Sequence, residues 1–212
     1  MDHQRGEPDV NIHQRLMASY KSAALVLSHQ WSSTDKTAGM TLSESGMLAS
    51  RPASGSGEGV RGSLSIPSSG KYYFEIEIVS GVDNGINAAT PGIGLATAAS
   101  NLTESFLGLW QWGVSSQGRL SDGSRPFGTS STDVGDIYGF AINTSLGHLF
   151  ISRNGVWGGS CDPVTGANPL LTGVTGTLYP LYKFATNIAA SARLRTSSNG
   201  LNSAPPAGFT AL

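Results

Sequence analysis

The side chains in this sequence whose types and spacing best suit chemistry are two tryptophans. Trp110 and Trp112 stand two apart, so on an extended strand they share one face, with Gln111 opposite. Rigid aromatic faces stack on a sugar ring or a peptide at little entropic cost, and Arg119, Asp122 and Arg125 on the following loop can pair with ligand hydroxyls or charges. The same spacing suits two large rings packed inside a sheet protein, and the sequence weighs that reading above the stacking platform.

Reactive constellations are harder to find. His3, His13, His29 and His148 are dispersed, and Cys161 has no second cysteine at metal-ligand spacing, so neither a metal site nor a bound cofactor is expected. No G-x-S-x-G turn singles out a serine nucleophile. The glycine runs 55–59 and 92–96 open no helix whose amides would hold a phosphate, and read better as turn and strand glycines. Asn101-Leu-Thr103 and Asn143-Thr-Ser145 fit the glycosylation pattern, which carries no information without an export signal. These observations predict a binding protein rather than an enzyme.

The elements that must carry such residues are strands. Of 212 residues, 28 are glycine and only 13% are charged, a balance that suits a turn-rich β protein. Short apolar runs separated by Gly, Ser, Asn, Asp and Thr clusters predict strands near 23–27, 40–42, 47–51, 59–66, 71–80, 92–98, 107–114, 136–143, 148–153, 178–184 and 188–195, with no long helix. In 71–80, Tyr72, Phe74, Ile76 and Ile78 alternate with Tyr73, Glu75, Glu77 and Val79. That pattern predicts one face in the core and both glutamates in water.

Residues 1–22 are different, being charge-bearing and nearly free of glycine. Asp9 can cap a short helix in which Ile12, Leu16, Met17 and Tyr20 fall at helical spacing. The expected organisation is therefore an N-terminal arm, 1–22, that packs on its own domain or docks the chain elsewhere, and a β domain, 23–212. One cysteine allows no internal disulfide. A net charge of -1 offers no broad positive field for nucleic acid. No apolar stretch approaches the ~20 residues that cross a bilayer, and 1–15 lacks the apolar block of a secretory signal. Neither nucleic acid nor membrane insertion is expected.

Several segments then carry a resemblance. Val134-Gly-Asp-Ile-Tyr-Gly-Phe-Ala-Ile-Asn143, followed by Gly147-His-Leu-Phe-Ile-Ser-Arg-Asn-Gly-Val-Trp157, resembles the central motif of SPRY modules, a strand from Gly-Asp paired with one ending in Phe-x-x-Asn-Gly. Residues 144–147 form a turn-competent linker between the two runs, and Asn154-Gly155 supplies residues that tolerate positive φ for the next turn. In family order, 70–78, 92–96 and 178–182 resemble the early, middle and late SPRY strands, so the likeness spans 31–212. The segments 31–36, 40–43, 162–168 and Ala204-Pro-Pro-Ala-Gly-Phe-Thr-Ala-Leu212 are similar to SPRY modules of bacteriophage particle proteins.

The resemblance implies an all-β fold, an antiparallel two-sheet sandwich of the SPRY or concanavalin-like jelly-roll type, that binds through loops at one end. Tyr138 and Trp157 become secondary ligand candidates on that ground. It further implies a virion structural or recognition protein, made in the host cytoplasm and attached to capsid or tail through its arm. Other virion proteins, further copies of itself, and a host-surface glycan or protein are the implied partners. A host-surface adhesin and an intracellular peptide-binding adaptor are the competing readings.

Overall fold

The computed structural model describes residues 28–53, 57–81, 92–103, 132–184, 188–197 and 200–212. They form two antiparallel sheets. The smaller has the order β1-β4-β10-β6, from β1 (Trp31–Lys36), β4 (Glu58–Gly62), β6 (Gly92–Thr97) and β10 (Leu178–Phe184). The larger runs β2-β3-β11-β5-β7-β8-β9, from β2 (Thr41–Ser43), β3 (Leu48–Arg51), β5 (Lys71–Ser80), β7 (Ile137–Asn143), β8 (His148–Arg153), β9 (Val156–Trp157) and β11 (Ala190–Arg195). A last strand, β12 (Thr210–Ala211), lies parallel beside β5.

Alternation builds the core between the sheets. Phe74, Ile76 and Ile78 of β5, Tyr138, Phe140 and Ile142 of β7, and Leu149 and Ile151 of β8 face Trp31, Val60, Ile93, Leu95, Tyr182 and Phe184 of the other sheet in one buried cluster. Phe74 and Phe140 are cross-strand partners with stacked rings 5.0 Å apart. Each such ring removes apolar surface from water at about 25 cal/mol per Å2, which fixes the strand register.

The predicted hairpins form. Residues 144–147 close β7 onto β8, with the Leu146 amide donating to Asn143 Oδ1, and Asn154-Gly155 takes positive φ (52° and 79°) to turn β8 into β9. Strand 71–80 stands where expected, as do 148–153 and 178–184, while 59–66 stops at Gly62 and 188–195 begins at Ala190. The expected strands 23–27 and 107–114 lie outside the described residues.

Three strands escaped the pattern. In β1, Trp-Ser-Ser-Thr-Asp-Lys is polar and its register on β4 is irregular, because Ser32 Oγ accepts from the Asp35 and Thr34 amides and pulls the strand into a local turn. The other two, β9 and β12, are only two residues long.

The second face of β5 corrects the expectation of solvated glutamates. Tyr73 and Glu75 are each only 1% exposed, because residues 157–171 and 200–212 fold over the outside of the larger sheet. Tyr73, Ala141, Phe150, Cys161 and Phe209 form a separate buried cluster there, with Trp157, Leu170 and Leu201 packed against it. Glu75 is tolerated because its carboxylate accepts from the Tyr73 hydroxyl (2.8 Å) and from the amides of Asn202 (2.6 Å) and Ser203 (2.9 Å). Glu77 keeps partial exposure and pairs with Arg193 and Arg195.

Candidate functional site

Topology brings four connections to one end of the sandwich. At that end β3 finishes at Arg51 beside Ala190, where β11 starts, and β5 finishes at Ser80 beside Ser191. In the other sheet, β10 finishes at Phe184 opposite Glu58, and Lys183 pairs with Gly92, the first residue of β6. The connections 52–57, 81–91 and 185–189 therefore leave and return there. The connection 98–136 also returns there, to the start of β7. At the opposite end Gly70 O accepts from Thr144 N and Gly147 O accepts from Val174 N, and the connections 98–136, 158–177 and 196–209 each leave or arrive there, the first from Thr97 beside Leu178.

Buried cations hold the roots of these connections. Arg51, only 2% exposed, donates from Nε to Pro52 O and from Nη1 to Phe184 O (both 3.0 Å), with its guanidinium 5.6 Å from the Phe184 ring centre. One side chain thus ties the two sheets together where two connections begin. Arg61 forms a two-pronged pair with Asp35 and donates from Nη1 to the carbonyls of Thr97 (2.9 Å) and Ser100 (2.7 Å). Lys183 donates from Nζ to Asn101 O at 2.8 Å. Between them they pin 97–101 against the outer face of the smaller sheet. A buried cation is stable only where carbonyls and carboxylates satisfy it, so these contacts are demanding geometric constraints.

The returning root of the longest connection is fixed by a third cluster. Arg153 pairs with Asp136 and Asp133, Asn154 Nδ2 donates to Asp136 Oδ1 (2.8 Å), and Asn154 Oδ1 accepts from the Ile137 amide (2.9 Å). Ile78 and the 135–136 turn exchange two backbone hydrogen bonds of 2.8 Å. Burial works against ionisation of Asp136, but donation from Arg153, the Asp133 amide and Asn154 outweighs it and holds this carboxyl below the usual aspartate range. Val134 and Val156 stand exposed on the two turns joined by this cluster.

Of the sequence candidates, Tyr138 is corrected. Its ring is 1% exposed between the sheets and its hydroxyl meets Thr132 Oγ1 at 3.0 Å, with burial pushing the phenol up to about 12. Alternation from Ile137 directs it inward, so it offers no stacking face. Trp157 is half-buried and packs edge-on to Tyr73 at 6.4 Å, against the outer cluster. Trp110, Trp112, Arg119, Asp122 and Arg125 lie outside the described residues, as do Ile12, Leu16, Met17 and Tyr20 of the arm. The segment that carries the two tryptophans joins the root pinned by Arg61 and Lys183 to the root held by Arg153.

Sequence reading missed Arg51, Arg61, Lys183 and the 133–154 cluster. Lys183 carried the clearest signal, a cation at an alternating position inside the apolar run Leu-Tyr-Pro-Leu-Tyr-Lys-Phe. Among the described residues, no group of three or more His, Cys, Asp or Glu side chains is placed to hold a metal. Cys161 is buried, and desolvation raises its thiol above the ordinary value, which disfavours the reactive thiolate.

No protein-family model matches this chain, and no curated protein matches it. Among solved structures, the SPRY domain of human HERC1 aligns with a TM-score of 0.51 at 13% identity, over 78% of this chain and 96% of that domain. The NHR domain of Neuralized from Drosophila melanogaster aligns at 0.45 with 12% identity, and the TRIM65 PSpry domain at 0.45 with 11%, each over 78% of this chain and 90% of the other. The likeness to the HERC1 domain establishes the fold as a SPRY-type β-sandwich.

Proposed function

We propose that this chain is a non-enzymatic recognition module whose partner, a protein or a glycan, is gripped by the connections at the pinned end of the sandwich. The observation that carries the reading is the placement of Arg51, Arg61, Lys183 and the Arg153–Asp136–Asn154 cluster. Arg51 and the Arg153 cluster hold points where connections leave or rejoin strands at that end, and Arg61 and Lys183 hold 97–101 against the smaller sheet, with Lys183 next to Phe184 at the same end. Connections projecting from rigid roots can vary in sequence without loss of the scaffold, and such ends supply binding surface at low ordering cost. The SPRY-type fold of the HERC1 domain is consistent with a binding module, and fold alone names no ligand.

The finer proposal is a bacteriophage virion protein, on capsid or tail, attached through residues 1–22. The segments that resemble phage SPRY modules, including Ala204-Pro-Pro-Ala-Gly-Phe-Thr-Ala-Leu212, support it. Quantitative mass spectrometry of purified particles tests it. Many copies per particle identify a decoration protein and few a tail protein; absence from washed particles overturns the virion assignment. Deletion of 1–22 is expected to abolish incorporation and leave the sandwich folded. A host-glycan ligand at the Trp110 and Trp112 segment predicts glycan-array binding that Trp110→Ala and Trp112→Ala remove.

A further inference from the structure

The segment 201–212 is seated on the body like a bound peptide. β11 ends at Arg195 opposite Glu75, and the flank of β5 that it vacates is taken by Thr210 and Ala211, which pair in parallel with Tyr72 and Tyr73. The Leu212 amide donates to Tyr73 O at 2.9 Å, and the Leu212 carbonyl accepts from both the amide and the hydroxyl of Ser197 at 2.6 Å. Phe209 enters the cluster of Tyr73, Ala141, Phe150 and Cys161, under the Lys71 ammonium 5.5 Å from its ring centre. Leu212 reaches the main core. Glu75 receives the amides of Asn202 and Ser203. Strand pairing, two apolar anchors and captured backbone amides are the components of peptide recognition by strand addition.

We propose that this groove is a peptide-binding site that the same segment of a second copy can fill, so that copies are joined by exchanged 201–212 segments. Three features point to a second copy as occupant. The groove already matches this sequence at Phe209, Leu212 and the Tyr72–Tyr73 pairing, so exchange replaces every interaction with its equal. Gly200 precedes the segment and Gly208 lies within it, both with positive φ (81° and 83°), and nothing stands within 4 Å of where a side chain would begin at either. The chain can therefore change direction at both positions without meeting the body. Departure of the segment also returns a buried carboxylate to water, which offsets part of the cost of leaving the groove.

The test uses two full-length variants in a Cys161→Ser background, one with Tyr72→Cys and the other with Thr210→Cys, residues paired across β5 and β12. Oxidation of the mixture is expected to give a disulfide between the two variants, its yield rising with protein concentration. Adding Phe209→Ala to the Thr210→Cys copy is expected to abolish that product. Absence of a mixed product, while a chain holding both cysteines closes on itself, overturns the proposal. Sedimentation of the unsubstituted chain gives an independent check: a dimer or larger species growing with concentration supports exchange, and a monomer up to the millimolar range overturns it. Neither readout depends on what the pinned end binds.

Discussion

Substituting Glu75 probes the outer layer of this fold most sharply, because the sequence expected the residue in water and the structure buries it. In Glu75→Gln the side chain keeps its shape, but one accepting oxygen becomes a donating amide. Oε2 serves Asn202, while Oε1 serves both Ser203 and the Tyr73 hydroxyl, so one or more donors must then face another donor. A hydrogen bond to a charged group contributes roughly 1.5–3 kcal/mol, and the relief of a buried charge returns part of that, leaving an expected loss of about 1–3 kcal/mol. Glu75→Ala takes the acceptor away from all three donors at once, and its expected cost is about 3–5 kcal/mol. Urea unfolding followed by tryptophan fluorescence gives the stability change. Hydrogen exchange gives its location, with protection at the Asn202 and Ser203 amides falling before that of β7. A stabilised Glu75→Gln protein, with unchanged protection at those two amides, refutes the claim that the carboxylate anchors residues 200–212.

Other consequences are as direct. Arg51→Met removes the donors to Pro52 O and Phe184 O, and should cost about 2–3 kcal/mol in the same urea assay. A loss below about 0.5 kcal/mol, the range of neutral surface changes, would show that the roots are not pinned there. Tyr182→Phe should be neutral or stabilising by up to about 1 kcal/mol, since its buried hydroxyl has no hydrogen-bond partner among the described residues; a loss of stability contradicts this. Asp136 has a lowered folded pKa, so its contribution is complete above the unfolded value of about 3.9 and fades as pH falls through the folded value. Acid titration by NMR should therefore loosen the Asp133–Asn154 corner only below that unfolded value, and Asp136→Asn should remove the transition.

What the sequence revealed is what depends on neighbours along the chain. The alternation of Tyr72, Phe74, Ile76 and Ile78, the 144–147 linker and Asn154-Gly155 act within a few residues, and each stands where it was expected. Burial of Glu75 was invisible because its partners Asn202 and Ser203 lie far along the chain, with separations of 127 and 128 positions. Arg51 and Phe184 are likewise separated by 133 positions, so nothing near Arg51 in the sequence marks its buried role. Tyr138 became a ligand candidate only through the resemblance to modules that bind through end loops, whereas the strand period turns its ring inward. Strand β1 escaped because a polar segment pairs through its backbone, which leaves no apolar trace. Compensation of Lys183 and Arg61 by carbonyls of 97–101 needs the sheet in place before those groups can meet.

On the proposed reading, a fixed sandwich carries connections that make the binding contacts. The direct test replaces residues 106–129 by a short Gly-Ser linker in the full-length chain, then compares thermal unfolding with binding of the labelled protein to purified particles and to host cells. An unchanged cooperative melt with binding lost is the predicted outcome. Unchanged binding to both, from a protein that melts as before, contradicts recognition by that end.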